Sequence, residues 1–303
     1  NLEGLLIDYP SNFWDIDVDS KLVRDQSSGR FLIDYNLSEK TTVGVQYLGN
    51  NTAPDIMATT TSSIFDNDGS LERILVNEGD NIVDNQNHSL NFHAVTQLDS
   101  LGKSISFDAD YFTFESENGR DFFNEEFNPA GVSQGINSAA LNISNQEIEN
   151  FSSKIDVDFP LSWVNLSYGV KASFTNTNSY VLYFDKTSGA EVLDPNRSNA
   201  FQYNEDVLAG YISGNTKLSE KIQMQFGLRL EDTKTKGVNE ELDQEISNKY
   251  TKLFPTFYLS YTKDDNNNFA LTYGRRIERP NFKNLNPFRF YINTNSYSVG
   301  NPF

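Results

Sequence analysis

Closely spaced acids around one glycine are the first candidates for chemistry in this sequence. Asp66, Asp68 and Glu72 lie within one short polar stretch that also contains Gly69. Carboxylates and backbone carbonyls around a glycine turn are ligands that Ca²⁺ prefers. The twelve-residue EF-hand loop requires its glycine at position six, and this stretch does not have that spacing. We therefore favour a solvated turn, with calcium binding as the weaker alternative.

Three arginines lie close together near the end of the sequence, within residues 273–280. Guanidinium groups bind phosphate and carboxylate bidentately, so Arg275, Arg276 and Arg279 could hold an anionic substrate or lipopolysaccharide phosphates. The alternative is structural, with Arg276 continuing the polar face of a strand and pairing with acids there. Arg275 would then lie at the edge of that surface. We favour the structural interpretation.

The sequence lacks the short motifs of several common enzyme classes. It contains no Gly-x-Ser-x-Gly, no P-loop and no His-Glu-x-x-His. With 42 acidic residues in the chain, any pairing of carboxylates as catalytic acid and base would arise by chance. We therefore predict no catalytic residues, no metal, no cofactor and no enzymatic activity.

Net charge and mean hydropathy reduce the number of protein classes that fit this sequence. The net charge of −18 would repel a phosphate backbone, which argues against nucleic-acid binding. Mean hydropathy is only −0.53, and no apolar run approaches the roughly 18 residues of a transmembrane helix. A transmembrane strand needs about 9–11 residues with only every second one apolar. Low hydropathy is therefore compatible with membrane-spanning strands.

Apolar and polar side chains alternate in ten segments that form five pairs. For example, Ile155 and Val157 alternate with Asp156 and Asp158. The pairs are residues 29–37 with 42–48, 88–98 with 104–114, 151–159 with 163–174, 207–218 with 222–233, and 253–262 with 269–277. A short polar turn joins the two members of each pair. A period of two predicts antiparallel strands with one apolar and one polar face.

The alternation also assigns individual side chains to the polar face. If the apolar face contacts lipid, the polar face lines the lumen of a barrel. The predicted lumen-facing residues are Asp156, Asp158, Lys171, Arg229 and Glu231.

Long polar connections separate the five pairs. They cover residues 49–87, 115–150, 175–206 and 234–252, and acids outnumber bases in them. Short turns at one end and long loops at the other are typical of outer-membrane barrels. We therefore predict an all-β fold, part of an antiparallel transmembrane β-barrel with about ten strands, short periplasmic turns and long extracellular loops. Residues 1–28 are less regular, although the alternation at 13–18 suggests one further strand.

Short motifs near the end of the sequence resemble a known family. Tyr-Gly-Arg-Arg-Ile-Glu-Arg-Pro at 273–280 precedes Leu-Asn-Pro-Phe at 285–288 and Gly-Asn-Pro-Phe at 300–303. Their order and spacing resemble the barrel of TonB-dependent receptors of the Bacteroidetes type, most strongly over residues 211–303. The residues that carry the resemblance are Arg275, Arg276, Arg279, Pro280, Leu285, Asn286, Pro287, Phe288, Gly300, Asn301 and Pro302.

The resemblance implies a large barrel that is filled by a plug domain and energised by TonB to import a scarce nutrient. Outer-membrane transporters of this kind have about 22 strands. Five hairpins are too few for that lumen, so residues 1–303 are expected to be an internal portion of a longer chain, with the plug domain elsewhere. The implied partners are outer-membrane lipid, lipopolysaccharide, the plug domain, TonB and an unidentified nutrient.

A second class of protein also fits the alternation. A secreted or surface-attached soluble β-protein, acting as an adhesin or glycan-binding module, would bury the apolar faces against each other. Hydropathy does not separate the two classes, because both cover one face of each strand. The difference in length between turns and loops, together with the motifs, favours the barrel.

Overall fold

Each long strand pairs with the next long strand along the chain, so the sheet is an antiparallel meander. The computed structural model describes residues 13–279, 284, 286, 289–293 and 296–300. The strands are β1 (Phe13–Asn36), β2 (Thr41–Phe65), β3 (Leu71–Gln97), β4 (Ser104–Phe127), β5 (Ser133–Pro160), β6 (Asn165–Asp185), β7 (Val192–Leu193), β8 (Asn199–Ser219), β9 (Ile222–Asn239), β10 (Gln244–Asp264), β11 (Asn267–Gly274), β12 (Arg289–Asn293) and β13 (Ser296–Val299).

The sheet follows the order β1-β2-β3-β4-β5-β6-β8-β9-β10-β11, and the short β7 pairs with β6. Strands β12 and β13 form a separate hairpin. Among the described residues, β1 and β11 each have one neighbour, so the sheet is open between these two edges. Within the same residues, no helix is long and apolar enough to cross a membrane.

The five predicted hairpins are confirmed, and they are β1–β2, β3–β4, β5–β6, β8–β9 and β10–β11. Local turn chemistry closes them. In the β3–β4 turn, Asp99 Oδ1 accepts hydrogen bonds from the backbone N–H groups of Lys103 at 3.0 Å and Leu101 at 2.9 Å. These bonds lower the pKa of Asp99, and the bond from Lys103 has the largest effect. Gly102 in the same turn has a φ of 95°, a conformation that favours glycine.

The long connections predicted between the hairpins are instead mostly continued strands. Strands β1 to β6 and β8 to β10 contain 18–28 residues each, about twice what a bilayer requires. Residues 66–70, 128–132 and 240–243 are the short turns between them, and only residues 186–198 form a longer irregular connection. Backbone hydrogen bonds between strands do not depend on which side chains alternate, so the pairing continues where the alternation is lost. Residues 13–18 likewise belong to β1 and are not a separate strand.

The apolar face of the sheet carries a row of large side chains that crosses six strands. Each member lies directly opposite the next, and each is between 39% and 57% exposed. The row consists of Phe31, Tyr47, Leu90, Tyr111, Phe151 and Phe174. We call it the aromatic row.

Two tyrosines of the aromatic row mark a boundary along the strands. The hydroxyl of Tyr111 donates to Glu149 at 3.1 Å, and the hydroxyl of Tyr47 hydrogen-bonds to Nδ1 of His88 at 2.7 Å. Both partners lie on the side of the row away from the β1–β2 and β3–β4 turns. An aromatic ring with one apolar and one polar end is suited to a membrane surface. Beyond this boundary the strands continue as segments of mixed polar and apolar residues, which we call the extensions and which contain the buried cluster of Phe122, Ala140 and Tyr183.

The extensions predict the orientation of the sheet in the membrane. Longer structures of outer-membrane barrels lie outside the cell, so the turn at 66–70 should be extracellular and the turn at Ser219–Ile222 periplasmic. Residues 1–303 contain no cysteine, so after replacement of any cysteine elsewhere in the full-length protein, single-cysteine variants can be labelled without background. In intact cells a membrane-impermeant maleimide should label Asn67→Cys, and Glu220→Cys only after the outer membrane is permeabilised. The opposite labelling pattern would invert this topology.

Candidate functional site

The polar face of the sheet carries the candidate site, at the depth where the opposite face is apolar. Two neighbouring rows of directly opposed residues cross β4, β5, β6, β8 and β9 there. One row contains Asp108, Lys154, Lys171, Ala209 and Glu231, and the other contains Ser106, Asp156, Gly169, Tyr211 and Arg229. Four of the five predicted lumen-facing residues therefore fall in two adjacent rows. The fifth, Asp158, lies in the next row and accepts a hydrogen bond from Ser167 at 2.5 Å.

Charged side chains in these rows form a continuous network. Lys154 lies 3.3 Å from Asp108 and 3.5 Å from Asp156. The hydroxyl of Tyr211 donates to Asp156 at 2.5 Å, and the Arg229 guanidinium lies 5.2 Å from the centre of the Tyr211 ring. The network therefore connects β4 to β9 through side chains as well as through the backbone ladder.

Glu231 ends this network and binds two arginines. Nε of Arg229 donates to Oε1 of Glu231 at 2.6 Å, and Nη2 of Arg279 donates to Oε2 at 2.6 Å. Arg279 also donates to Thr233 at 3.2 Å and lies 3.6 Å from Glu205. The Glu231 side chain is only 10% exposed, and a carboxylate this buried is stable only when paired.

Two glycines allow contacts between strands that are not neighbours. Gly169 on β6 separates Asp156 on β5 from Tyr211 on β8, and a Cβ added to it would lie 2.5 Å from Asp156 Oδ1. Gly44 on β2 in the same way separates Asp34 from His93, whose Nε2 lies 2.9 Å from Asp34 Oδ1. Without a side chain on the middle strand, groups two strands apart reach hydrogen-bonding distance.

The ion pair expected of Arg276 is formed by Arg279 instead. Strand β11 ends at Gly274, and only the bond from Arg275 N–H to Pro255 carbonyl continues the ladder. The chain then leaves the strand path, so the alternation that assigned Arg276 to a pairing position no longer holds. Among the described residues, Arg276 forms no ion pair and is exposed. The same is true of Arg275.

The other motif residues are only partly within the described structure. Asn286 is fully buried and accepts a hydrogen bond from Asn239 at 3.3 Å, and its carbonyl accepts one from Gly300 N–H at 2.9 Å. Pro280, Leu285, Pro287, Phe288, Asn301 and Pro302 lie outside the described residues. Lys171 is on the polar face as predicted, and within the described structure it forms no ion pair.

The acids considered for calcium lie in and beside a tight turn. Asp66 Oδ1 accepts a hydrogen bond from Asn67 N–H at 2.7 Å, and Asp68 Oδ1 accepts bonds from the hydroxyl and N–H of Ser70 at 2.6 and 2.9 Å. The bonds from Ser70 lower the pKa of Asp68. Across the described residues, no group of three or more acids, histidines or cysteines, including Glu72, has the geometry of a metal site.

Sequence reasoning missed several members of the network. Asp108, Lys154 and Tyr211 follow the same alternation as the predicted residues, so the pattern could have identified them. The contacts of Arg279 with Glu205 and Glu231 could not be predicted from alternation, because the chain has no regular structure between β11 and Arg279.

The assignment of the two faces can be tested at adjacent residues of β9. Leu228 is 44% exposed on the apolar face, so Leu228→Arg places a charge in lipid at a cost of about 2–4 kcal/mol near the midplane. Arg229→Leu should be better tolerated, because Arg279 still pairs with Glu231. The heat-modifiable gel mobility of the full-length protein measures the folded fraction. A larger loss for Arg229→Leu would contradict the assignment.

Gly169 should not tolerate even one methyl group. In Gly169→Ala the added carbon would meet Asp156 Oδ1 and the backbone carbonyl of Ile155, each at 2.5 Å, so the sheet must distort. Overpacking of this kind costs about 1–3 kcal/mol. Gly210→Ala is the matched control, because the added carbon has nothing within 4 Å. Thermal unfolding of the full-length protein, followed by gel mobility, should show a lower midpoint for Gly169→Ala only. Equal midpoints would contradict the close approach.

Solved structures similar to this chain include three outer-membrane proteins. The ferric-catecholate import receptor Fiu from Escherichia coli K12 has 8% sequence identity and a TM-score of 0.46. The ferric citrate transporter FecA in its unliganded form has 9% identity and a TM-score of 0.34. The alcaligin receptor FauA from Bordetella pertussis has 10% identity and a TM-score of 0.32. The alignments cover 88%, 79% and 79% of this chain, but only 50%, 42% and 41% of those proteins. This chain thus corresponds to half or less of their length.

The family comparison covers more than half of the chain. Curated protein sequences give no match. The model of the outer membrane protein beta-barrel family matches residues 96–303, which include the network from Asp108 to Arg279. The chain therefore belongs to the outer membrane protein β-barrel family and is a protein of the cell outer membrane.

Proposed function

We propose that this chain forms part of the barrel wall of a TonB-dependent transporter that imports a scarce nutrient. The observation that carries the proposal is the difference between two faces at the same depth of the sheet. On β9, Leu228 and Leu230 are exposed on one face. The alternate residues Arg229 and Glu231 lie on the other face, where they form an ion pair with each other. A surface that meets lipid and a surface that meets a wet lumen require this arrangement.

The soluble alternative does not account for the apolar face. Ile212, Leu228 and Leu230 are 43%, 44% and 51% exposed, and they lie on adjacent strands. Soluble monomers rarely expose continuous apolar surfaces of this extent, because such surfaces associate. An adhesin or glycan-binding module would need a second layer to cover them. In a barrel, lipid covers them.

Lipopolysaccharide is the proposed partner at the outer boundary of the apolar face. On β8, β9 and β10 the aromatic row continues as Asp206, Lys234 and Lys249. Lys234 lies directly opposite Asp206 on one side and Lys249 on the other, so Asp206 offsets the charge of only one of the two lysines and a further anion would be favourable there. The phosphates of lipopolysaccharide are anions found at this depth of the outer leaflet.

The remaining partners belong to the transport cycle. A plug domain would fill the lumen and contact the polar face, and TonB would supply energy through the plug. The open edges at β1 and β11 would pair with further strands of the same barrel. The nutrient could be an iron chelate, cobalamin, a glycan or a peptide.

Growth under nutrient limitation tests this function. A deletion strain and a strain lacking TonB should show the same defect when one of iron chelate, cobalamin, glycan or peptide is limiting, because both lose energised uptake. A plasmid carrying the full-length gene should restore only the deletion strain. A deletion strain without a defect under any limitation, or full-length protein recovered in the soluble fraction without detergent, would overturn the proposal.

A further inference from the structure

A pocket on the polar face lies between the β8–β10 strands and residues 275–279. Its lining includes Tyr211, Gly227, Arg229 and Thr256 from the strands and Arg276 and Arg279 from the segment that follows β11. Gly227 has no side chain, and this leaves space at the floor of the pocket. A Cβ added at this position would lie 2.5 Å from Thr256 Oγ1 and would fill that space. The pocket therefore combines arginines from two parts of the chain.

The charge of this pocket is opposite to that of the chain. The whole chain carries a net charge of −18, yet four arginines line this one pocket, namely Arg229, Arg275, Arg276 and Arg279. Glu231 is the single acid in the lining, and its two oxygens already accept from Arg229 and Arg279. Within the described structure Arg276 has no acidic partner, so positive charge remains available.

We infer that this pocket is a binding site for a small anion that carries carboxylate or phosphate groups. Guanidinium groups form paired, charge-assisted hydrogen bonds with both kinds of oxyanion. The Thr256 hydroxyl adds a neutral donor at the floor.

The inference rests on the proposed transport function and specifies the charge class of the transported solute. Asp108 and Asp156 on the same polar face are already paired with Lys154, so neither is available to hold a cation. The competing occupant is an acidic side chain from another part of the same protein. That occupant would leave the protein insensitive to added anions.

Binding of inorganic phosphate and succinate to the purified full-length protein in detergent tests the site. At ionic strength matched with sodium chloride, calorimetry should detect binding of at least one of these anions to the wild type. Arg276→Gln should weaken that binding about tenfold or more, through loss of a charge-assisted contact. Within the described structure Arg276 is exposed and forms no ion pair, so the variant should fold normally.

Arg30→Gln is the matched control. Arg30 lies on the same polar face, on the edge strand β1, where it donates to Gln46 at 3.0 Å. Its removal should leave anion binding unchanged. Equal weakening in both variants, or no binding of either anion to the wild type, would overturn the site. Either result would leave the proposed function standing if the growth defects of the deletion strain and the strain lacking TonB still coincide.

Discussion

The alignment of neighbouring strands is the constraint on which both faces of the sheet depend. The residues opposite Leu228 are Ile212 and Pro255, and the residues opposite Arg229 are Tyr211 and Phe254. Because successive side chains point to opposite faces, a slip of one residue in β9 would move Arg229 to the lipid side and Leu228 to the polar side. Each arginine placed near the middle of the bilayer costs about 2–4 kcal/mol, so the alignment is strongly favoured over its alternatives.

The charged network depends on the same alignment and reinforces it. Asp156 reaches Tyr211 only because Gly169 lies between them on β6, and this requires three strands to be in register at once. A buried ion pair seldom adds much stability by itself, whereas a buried carboxylate that loses its partner is strongly destabilising. Breaking the network in a misaligned sheet therefore costs more free energy than the network contributes to the stability of the aligned sheet. The buried Glu231, which two arginines hold, is the clearest example.

Sequence reasoning predicted the parts of the fold in which the side-chain pattern reflects the environment. The five hairpins and the positions of Asp156, Lys171, Arg229 and Glu231 on one face follow from alternation between lipid and a polar surface. In the extensions polar and apolar residues do not alternate regularly, so residues such as Glu115 and Glu117 are predicted from the sequence to lie in loops. The partner of Arg279 was not predictable, because the irregular segment after β11 has no periodicity that would place its side chains. The structural interpretation predicted an acidic partner for Arg276, whereas within the described residues the arginine paired with acids in this segment is Arg279.

The acidic extensions and the arginine pocket can coexist because they act over different distances. From Arg229 to the end of β9 at Asn239 is about ten residues, which is roughly 34 Å at about 3.4 Å per residue. The Debye length at physiological ionic strength is about 8 Å, so charges at the far ends of the extensions are largely screened at the depth of the pocket, whereas Glu205, where the β8 extension begins, lies 3.6 Å from Arg279. The extensions therefore influence which solutes approach the barrel, whereas the pocket acts only on groups in direct contact.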